Sequence, residues 1–440
     1  MSDLPVAVIG AGPTGLAAAA HLRTRGRAAV VLEAGPSAGT AVRDWAHVRL
    51  FSPWRELIDP SAAALLDASG WQTPDGDRYP TGGDWVDGYL QPLADALDPV
   101  VHYGARVTGV ARSGRDRLVD SGRDGASFVV HVNGRDGEER IEASAVLDAS
   151  GTWSRPNPLG GDGLPALGES AARVTYRVPD LRDPSTRDRY AGKHIAVAGT
   201  GASAMTALVA LGELADEAPG TRVSWLVRRG SATNAFGGGD NDQLVERGAL
   251  GRRAQQAVNA GHVRTSTGFR ARALVPHGEQ VDIESFDGQR VERVDEIVAV
   301  TGMRPDLSYL SEIRLDLDPV LHSPKALAPL IDPNIHSCGT VYPHGAKELA
   351  QPDAGFYLVG MKSYGRAPSF LAMTGYEQVR SVVAEIAGDH EAAERVELTL
   401  PDTGVCGGAG LFDEDESAAS GGCCGTATDE VLTIGGTIRG

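Results

Sequence analysis

Two stretches of the chain follow the same pattern of apolar and small residues. Pro5 to Gly10 (PVAVIG) is apolar without alternation, the signature of a strand covered on both faces. It runs into Gly10-Ala11-Gly12-Pro13-Thr14-Gly15, then a helix-forming LAAAAHLRTR closed by Gly26, then a second apolar run, AAVVLE, ending at Glu33. The pattern predicts strand, glycine turn, helix and strand. It returns at His194 to Gly199 (HIAVAG), followed by Thr200-Gly201-Ala202-Ser203-Ala204, the helical MTALVALGEL and a strand, RVSWLVRR, that ends in Arg228 and Arg229.

Other apolar runs complete each unit. Ala145 to Trp153 (AVLDASGTW) and Glu296 to Pro305 (EIVAVTGMRP) each read as a strand closed by a small-residue turn with a glycine, Gly151 in the first. Val101 to Arg112 reads as a further strand region. Gly355 to Met361 (GFYLVGM) precedes a helical run from Pro368 to Ala387. The predicted fold class is α/β, with two nested Rossmann-like dinucleotide-binding domains. The predicted divisions are 1–175 and 306–400 for the two parts of an FAD-binding domain, 176–305 for an NADPH-binding domain, and 401–440 for a tail rich in Gly, Ser, Asp and Glu.

Composition narrows the picture. The 440 residues exceed what one hydrophobic core normally serves. Glycine, at 56 residues, is about twice its average usage, which suits tight turns and close approach of backbone to a ligand. A net charge of −17 disfavours nucleic acid and anionic membranes as partners. Met1 to Leu22 lacks a basic start and is broken by Gly10, Gly12, Pro13 and Gly15, so it reads as strand, turn and helix rather than a signal peptide. No other run has the roughly 18 uninterrupted apolar residues of a membrane span. Four cysteines make no disulfide framework, and a reducing, cytoplasmic setting is expected, as monomer or homodimer.

The glycine turns carry the chemistry. In such a turn the first glycine makes the bend and the second admits a pyrophosphate at the helix N-terminus. The third allows close helix–strand packing, and an acid after the next strand takes the ribose hydroxyls. Gly10, Gly12, Gly15 and Glu33 fill those four roles, with Pro13 and Thr14 between them. Gly199, Gly201, Ala202 and Ser203 form the second turn, with Ala204 at the third-glycine position. The acid is missing there. Arg228 and Arg229 would instead bind a 2′-phosphate, which favours NADPH over NADH, although a solvated strand end would also carry arginines. Backbone near Val107 is placed to meet the adenine of FAD, and backbone N–H groups at Gly360 and Met361 to meet its flavin end.

The order of these motifs resembles the two-dinucleotide-binding-domain flavoproteins over about Leu4 to Asp389. Within that group the chain is similar to the class B flavin monooxygenases in GTWSRPNP (Gly151 to Pro158), HVRLFSPWR (His47 to Arg55) and YPTGGDWVDGYL (Tyr79 to Leu90). It departs from them in lacking a Phe-x-Gly and a histidine in LGESAARVTYRVPDLRD, ahead of the second turn, and in lacking the aspartate usual in GFYLVGMKSYGR. The resemblance implies FAD and NADPH as cofactors, with dioxygen and a small molecule as substrates. It also places Arg49, Trp54, Arg55, Tyr364 and Arg366 near the flavin as candidate catalytic residues. Each of the five could equally be a surface ion pair or a core aromatic, and His47 and His344 read as satisfied histidines.

The cysteines separate the branches of this group. The thioredoxin-reductase-like enzymes work through a CxxC or CxxxxC dithiol, and none of the four cysteines, Cys338, Cys406, Cys423 and Cys424, forms such a pair. Adjacent Cα atoms lie about 3.8 Å apart, less than a disulfide usually spans, so Cys423 and Cys424 suit a soft metal or metalloid better than each other. Cys406 could supply a third thiolate, and an unstructured tail with incidental cysteines is the plain alternative. The segments PDTGVC, SGGCCG, SCGTVYPHG and MKSYGRAPSF are similar to flavin-dependent monooxygenases of arsenic-resistance operons. The expected activity is NADPH-dependent transfer of one oxygen atom from dioxygen to a soft nucleophile such as a trivalent arsenical. The alternative is electron transfer to a thiol, disulfide or metalloid.

Overall fold

The computed structural model describes residues 4–239, 242, 244–333, 344–367 and 370–398. Two five-stranded parallel sheets form its frame. The first contains β1 (Val6–Ile9), β2 (Ala29–Glu33), β3 (Val101–Tyr103), β7 (Ala145–Asp148) and β16 (Phe356–Leu358), in the order β16-β7-β1-β2-β3. Every residue of β1, β7 and β16 is buried, which is why these strands read as apolar runs, with the buried Asp148 at the end of β7 as the one charged residue. An antiparallel sheet of β4 (Arg106–Arg112), β5 (Phe128–Gly134) and β6 (Gly137–Ala143) packs on one face. Its β5 alternates at its end, since one face meets solvent.

The second frame holds β8 (Val174–Thr175), β9 (His194–Ala198), β10 (Arg222–Leu226), β11 (Val263–Ser266) and β15 (Glu296–Ala299), in the order β11-β10-β9-β15-β8. A smaller antiparallel sheet of β12 (Ala271–His277), β13 (Gln280–Ser285) and β14 (Arg290–Val294) covers it. The chain thus has a mixed α/β fold with two nested Rossmann-like units. It leaves the first sheet earlier than the predicted division at residue 175, because β8 already pairs with β15, and Leu159 and Ala166 belong to the second unit's core. Short strands with few apolar residues leave little trace in a hydropathy pattern, which hid β8.

Two helices clamp the other face of the first sheet. The Pro13–Thr24 helix lies against the Ala372–Ala387 helix, so closely that a Cβ on Gly375 would come 2.7 Å from Thr14 Oγ1. The latter helix starts at Ala372, later than the apolar pattern suggests, because Leu371 is extended. Asp59 ties a third helix, Pro60–Asp67, to this pair. One carboxylate oxygen caps it by accepting from Ala62 N at 2.9 Å, and the other lies 3.0 Å from His21 Nε2. No helix among the described residues is long and apolar enough to cross a membrane.

Two glycine turns and the candidate active site

Both glycine turns sit at the carboxyl ends of parallel strands, the edge where ligands bind in open α/β sheets. In the first turn a Cβ on Gly15 would lie 1.9 Å from Gly10 O, so helix and strand touch there and only glycine fits. At Gly12 a Cβ would meet nothing within 4 Å. The same division of labour recurs in the second turn, where a Cβ on Gly199 would lie 2.3 Å from Val300 O and Gly201 faces open space. Ala204, buried, occupies the third position without a clash.

No side chain caps the Pro13–Thr24 helix or the Ala202–Glu217 helix, whose N-caps are Gly12 and Gly201. The first N–H groups of a helix have no partner within it and carry the positive end of its dipole. An uncapped terminus facing open space over a glycine suits a pyrophosphate. The residues present therefore fit two dinucleotides.

Glu33 is half-buried, and its carboxylate already accepts two backbone N–H groups, Ala11 N at 2.8 Å and Gly35 N at 2.7 Å. These bonds aim the carboxylate across the turn, and its remaining lone pairs can accept from ribose hydroxyls. Next to it, Ala105 N donates to Glu33 O at 2.8 Å, which brings the start of β4 and Val107 to the same edge. In the second turn, buried Trp225 donates from Nε1 to Gly199 O at 2.8 Å and holds the bend from the neighbouring strand. The exposed Arg228 and half-buried Arg229 follow β10. Protein atoms crowd Arg228 without covering it, and this desolvation, then the charges of Arg229 and Arg366, pulls its guanidinium below the ordinary value.

The turn after β16 corrects one expectation. Gly360 N donates to Gln378 Oε1 at 2.7 Å, inside a buried network in which Gln378 Nε2 meets His344 Nε2 and Ser363 Oγ, each at 2.9 Å. That N–H is spent within the protein and does not face a flavin. Glycine is needed at 360 for another reason: it takes φ +67 and a Cβ would press on Thr14 at 2.7 Å. Met361, half-buried, follows in the same turn. Gly151 also has a left-handed backbone, with open space around it.

The five candidate catalytic residues fall into two sets, and no hydrogen bond or ring contact joins the sets among the described residues. Arg49 is exposed and donates to Tyr79 O at 3.1 Å. Trp54 is buried in the first unit's core, against Gly88, and Arg55 is an exposed partner of Asp77. Tyr364 is buried, packs edge-on to Phe370 with centroids 4.9 Å apart, and its hydroxyl has no hydrogen-bond partner among the described residues. Burial pushes its phenol well above the ordinary value. Arg366 is exposed in the following loop. The His47 ring is hydrogen-bonded to backbone at Val178 and Pro179, although its buried Nε2 has no partner among the described residues, and His344 is bonded to Gln378.

Sequence reasoning missed two groups. At the carboxyl end of β7, the fully buried Lys362 donates to Asp148 Oδ2 at 2.6 Å and to Ser150 Oγ at 3.0 Å, and also bonds the Tyr309 hydroxyl. A lysine after an apolar strand and an aspartate ending one were visible, but their pairing across 214 residues was not. The second group joins the units: Trp153 Nε1 donates to Asp44 Oδ2 at 2.8 Å, and Arg177 Nη1 lies 2.9 Å from the same oxygen. Among the described residues no cluster of His, Cys, Asp and Glu is placed to hold a metal. The predicted ligands Cys406, Cys423 and Cys424 lie outside the described residues, as does Cys338.

Comparison with known proteins agrees with this frame. Residues 7–327 match the family described as pyridine nucleotide-disulphide oxidoreductase. Ferredoxin–NADP reductase 1 of Cupriavidus necator is 26% identical over 319 residues, 71% of this chain and 74% of that protein. In structure, the bacillithiol disulfide reductase of Bacillus cereus is similar at a TM-score of 0.64 and 20% identity, covering 88% of this chain and 99% of that one. The flavin-containing monooxygenase of Stenotrophomonas maltophilia gives 0.56 and 22%, with 88% and 99% covered. Two uncapped glycine turns on parallel sheets, matched across most of the chain, identify an FAD- and NAD(P)H-dependent oxidoreductase that belongs to the pyridine nucleotide-disulphide oxidoreductase family.

Proposed function

We propose that the protein is an NADPH-dependent monooxygenase that holds FAD at Gly10–Gly15 and Glu33, and NADPH at Gly199–Ser203 with Arg228 and Arg229. Its oxygen acceptor is a small soft nucleophile, with a trivalent arsenical as the specific candidate. The observation that carries the reading is the cysteine pattern. The chain has four cysteines and none forms a CxxC or CxxxxC pair, so no dithiol of that kind stands ready to take electrons from a flavin.

FAD, when bound, accepts a hydride from a reduced nicotinamide and passes the electrons on, here to dioxygen. The chain's residues orient and shield that exchange. The N-termini of the two helices and their backbone N–H groups would hold the two pyrophosphates, Glu33 a ribose, and the arginines after β10 the 2′-phosphate. The three tail cysteines suit a trivalent arsenical because thiolates are soft ligands.

The test supplies NADPH, a trivalent arsenical and ¹⁸O-labelled dioxygen. One labelled oxygen in a pentavalent product for each NADPH oxidised is expected. Stoichiometric hydrogen peroxide with no labelled product would remove the monooxygenase reading. A second reading, electron transfer to a thiol, disulfide or metalloid, draws on the vicinal Cys423 and Cys424 and on the likeness to a bacillithiol disulfide reductase. It predicts NADPH oxidation by a disulfide without oxygen, lost when both cysteines are changed to Ser.

A further inference from the structure

The two glycine turns share a frame and differ at its third position. Their N-caps, Gly12 and Gly201, have nearly the same backbone, φ −82 and ψ −174 against φ −85 and ψ −179. Each accepts a helical N–H four residues on, from Leu16 at 3.0 Å and from Met205 at 3.1 Å. The third position is Gly15 in the first turn and Ala204 in the second.

In the first turn Gly10 O lies against residue 15, only 1.9 Å from where a Cβ there would stand. Ala204 carries that methyl, and it faces residue 199, 3.6 Å from where a Cβ on Gly199 would stand. A carbonyl oxygen placed as in the first turn would fall far inside van der Waals contact with it. Gly199 O is turned elsewhere. It accepts from Trp225 Nε1 at 2.8 Å, and Gly199 takes φ 130 where Gly10 takes φ 100.

The donor belongs to the second unit alone. Trp225 on β10 pairs with Val197 on β9, and the corresponding pair in the first sheet is Val31 with Val8. Valine has no side-chain donor. Trp225 is fully buried, and its ring packs on Phe236 with centroids 5.5 Å apart. Phe236 is itself pressed against the Val245–Asn259 helix, where a Cβ on Gly251 would lie 1.8 Å from its carbonyl oxygen. The indole is thus fixed from behind, and its N–H has a set direction. Gly199 C=O and Thr200 N–H belong to one trans peptide and point opposite ways. With the carbonyl turned to Trp225, the Thr200 N–H is turned away from it.

We propose that Trp225 is a positioning residue for the dinucleotide of the second turn. Its indole N–H takes the Gly199 carbonyl that Ala204 displaces, and so keeps the turn in the shape that admits a pyrophosphate. The inference rests on the assignment of Gly199–Ser203 to the nicotinamide dinucleotide. Ala204 and Trp225 act as one device, the methyl excluding the carbonyl and the indole receiving it. Being fully buried, Trp225 acts through that carbonyl and not on the ligand, so it serves NADP⁺ and NAD⁺ alike.

The test measures dissociation constants of NADP⁺ and NAD⁺ for the FAD-loaded protein by calorimetry, in the parent, Trp225→Phe, Ala204→Gly and the double variant. Flavin content and melting temperature check that the variants are folded and loaded. Trp225→Phe keeps a ring against Phe236 and loses the donor, so it should weaken both ligands by a similar factor, about tenfold. Ala204→Gly alone should stay within about threefold of the parent. Added to Trp225→Phe it should restore most of the loss, because the carbonyl can settle over residue 204 as it does over Gly15. A role in packing alone would not be rescued by removing a further methyl. Constants within about twofold of the parent in Trp225→Phe, a loss confined to NADP⁺, or a double variant no better than Trp225→Phe each overturn the proposal and leave the turn assignment intact. Should Trp225→Phe alone not fold, recovery of folding and binding in the double variant carries the proposal, and no recovery overturns it. If the parent binds neither dinucleotide, the turn assignment fails and the proposal falls with it.

Discussion

Lys362 Nζ lies 2.6 Å from Asp148 Oδ2, with water excluded from both side chains. The pair bolts the turn after β16 to the end of β7. Removing one partner strands a buried charge, which typically costs about 3–5 kcal/mol. Lys362→Met should lower stability to urea by that order. Pairing it with Asp148→Leu should recover much of the loss, because an apolar pair has no charge to desolvate. A single-variant loss below about 1 kcal/mol would show that water reaches the pair after all.

The glycines of the first turn predict opposite failures. Gly15→Ala places a methyl 1.9 Å from Gly10 O, so the cofactor-free protein itself should lose stability. Gly12→Ala meets nothing within 4 Å and has an ordinary backbone, so the cofactor-free protein should melt near the parent temperature. Its FAD content after purification should fall, since the methyl enters the space assigned to the pyrophosphate. Full FAD occupancy in Gly12→Ala would move the pyrophosphate elsewhere.

Arg228→Ala should raise KM for NADPH about tenfold more than KM for NADH, as expected for loss of a charge-assisted bond to the 2′-phosphate. An equal rise for both would separate Arg228 from that phosphate.

Asp353 makes a buried ion cluster with Arg123, at 2.6 Å, and Arg112, at 3.4 Å. Burial works to raise its carboxyl, but Arg123, the Arg314 N–H and Arg112 outweigh burial and hold it below the ordinary range. A carboxyl depressed in the folded state stabilises fully above its unfolded value of about 3.9, and the contribution disappears as pH falls through the lower folded value. Stability followed by urea unfolding should therefore drop below about pH 4 in the parent, and less steeply in Asp353→Asn. Parallel acid limbs in the two proteins would exclude Asp353 as a contributor.

The parts of this molecule that could be read from the sequence are those where one local requirement selects one residue type. Gly15 is forced by helix–strand contact, and Glu33 stands where a β-strand ends beside a turn, so both were legible from spacing. The runs at β1, β7, β9 and β15 were legible because burial on both faces leaves polar residues only at strand ends, as at Asp148, His194 and Glu296. Lys362, Tyr309 and Trp225 were not, since each acquires its role from a partner far away in the chain. Gly360 shows the same limit from the other side. Its glycine was noticed, but whether its N–H pointed outward depended on Gln378, on a helix packed against it.

Asp44 receives both Trp153 from the linking segment and Arg177 from the second unit, on a single oxygen. Any swing of the second unit about that linker has to release both bonds together. Arg177 and Asp44 are each partly open to solvent, where such a pair contributes about 1 kcal/mol or less. The link is thus a catch comparable to thermal energy, and it loosens as salt concentration rises.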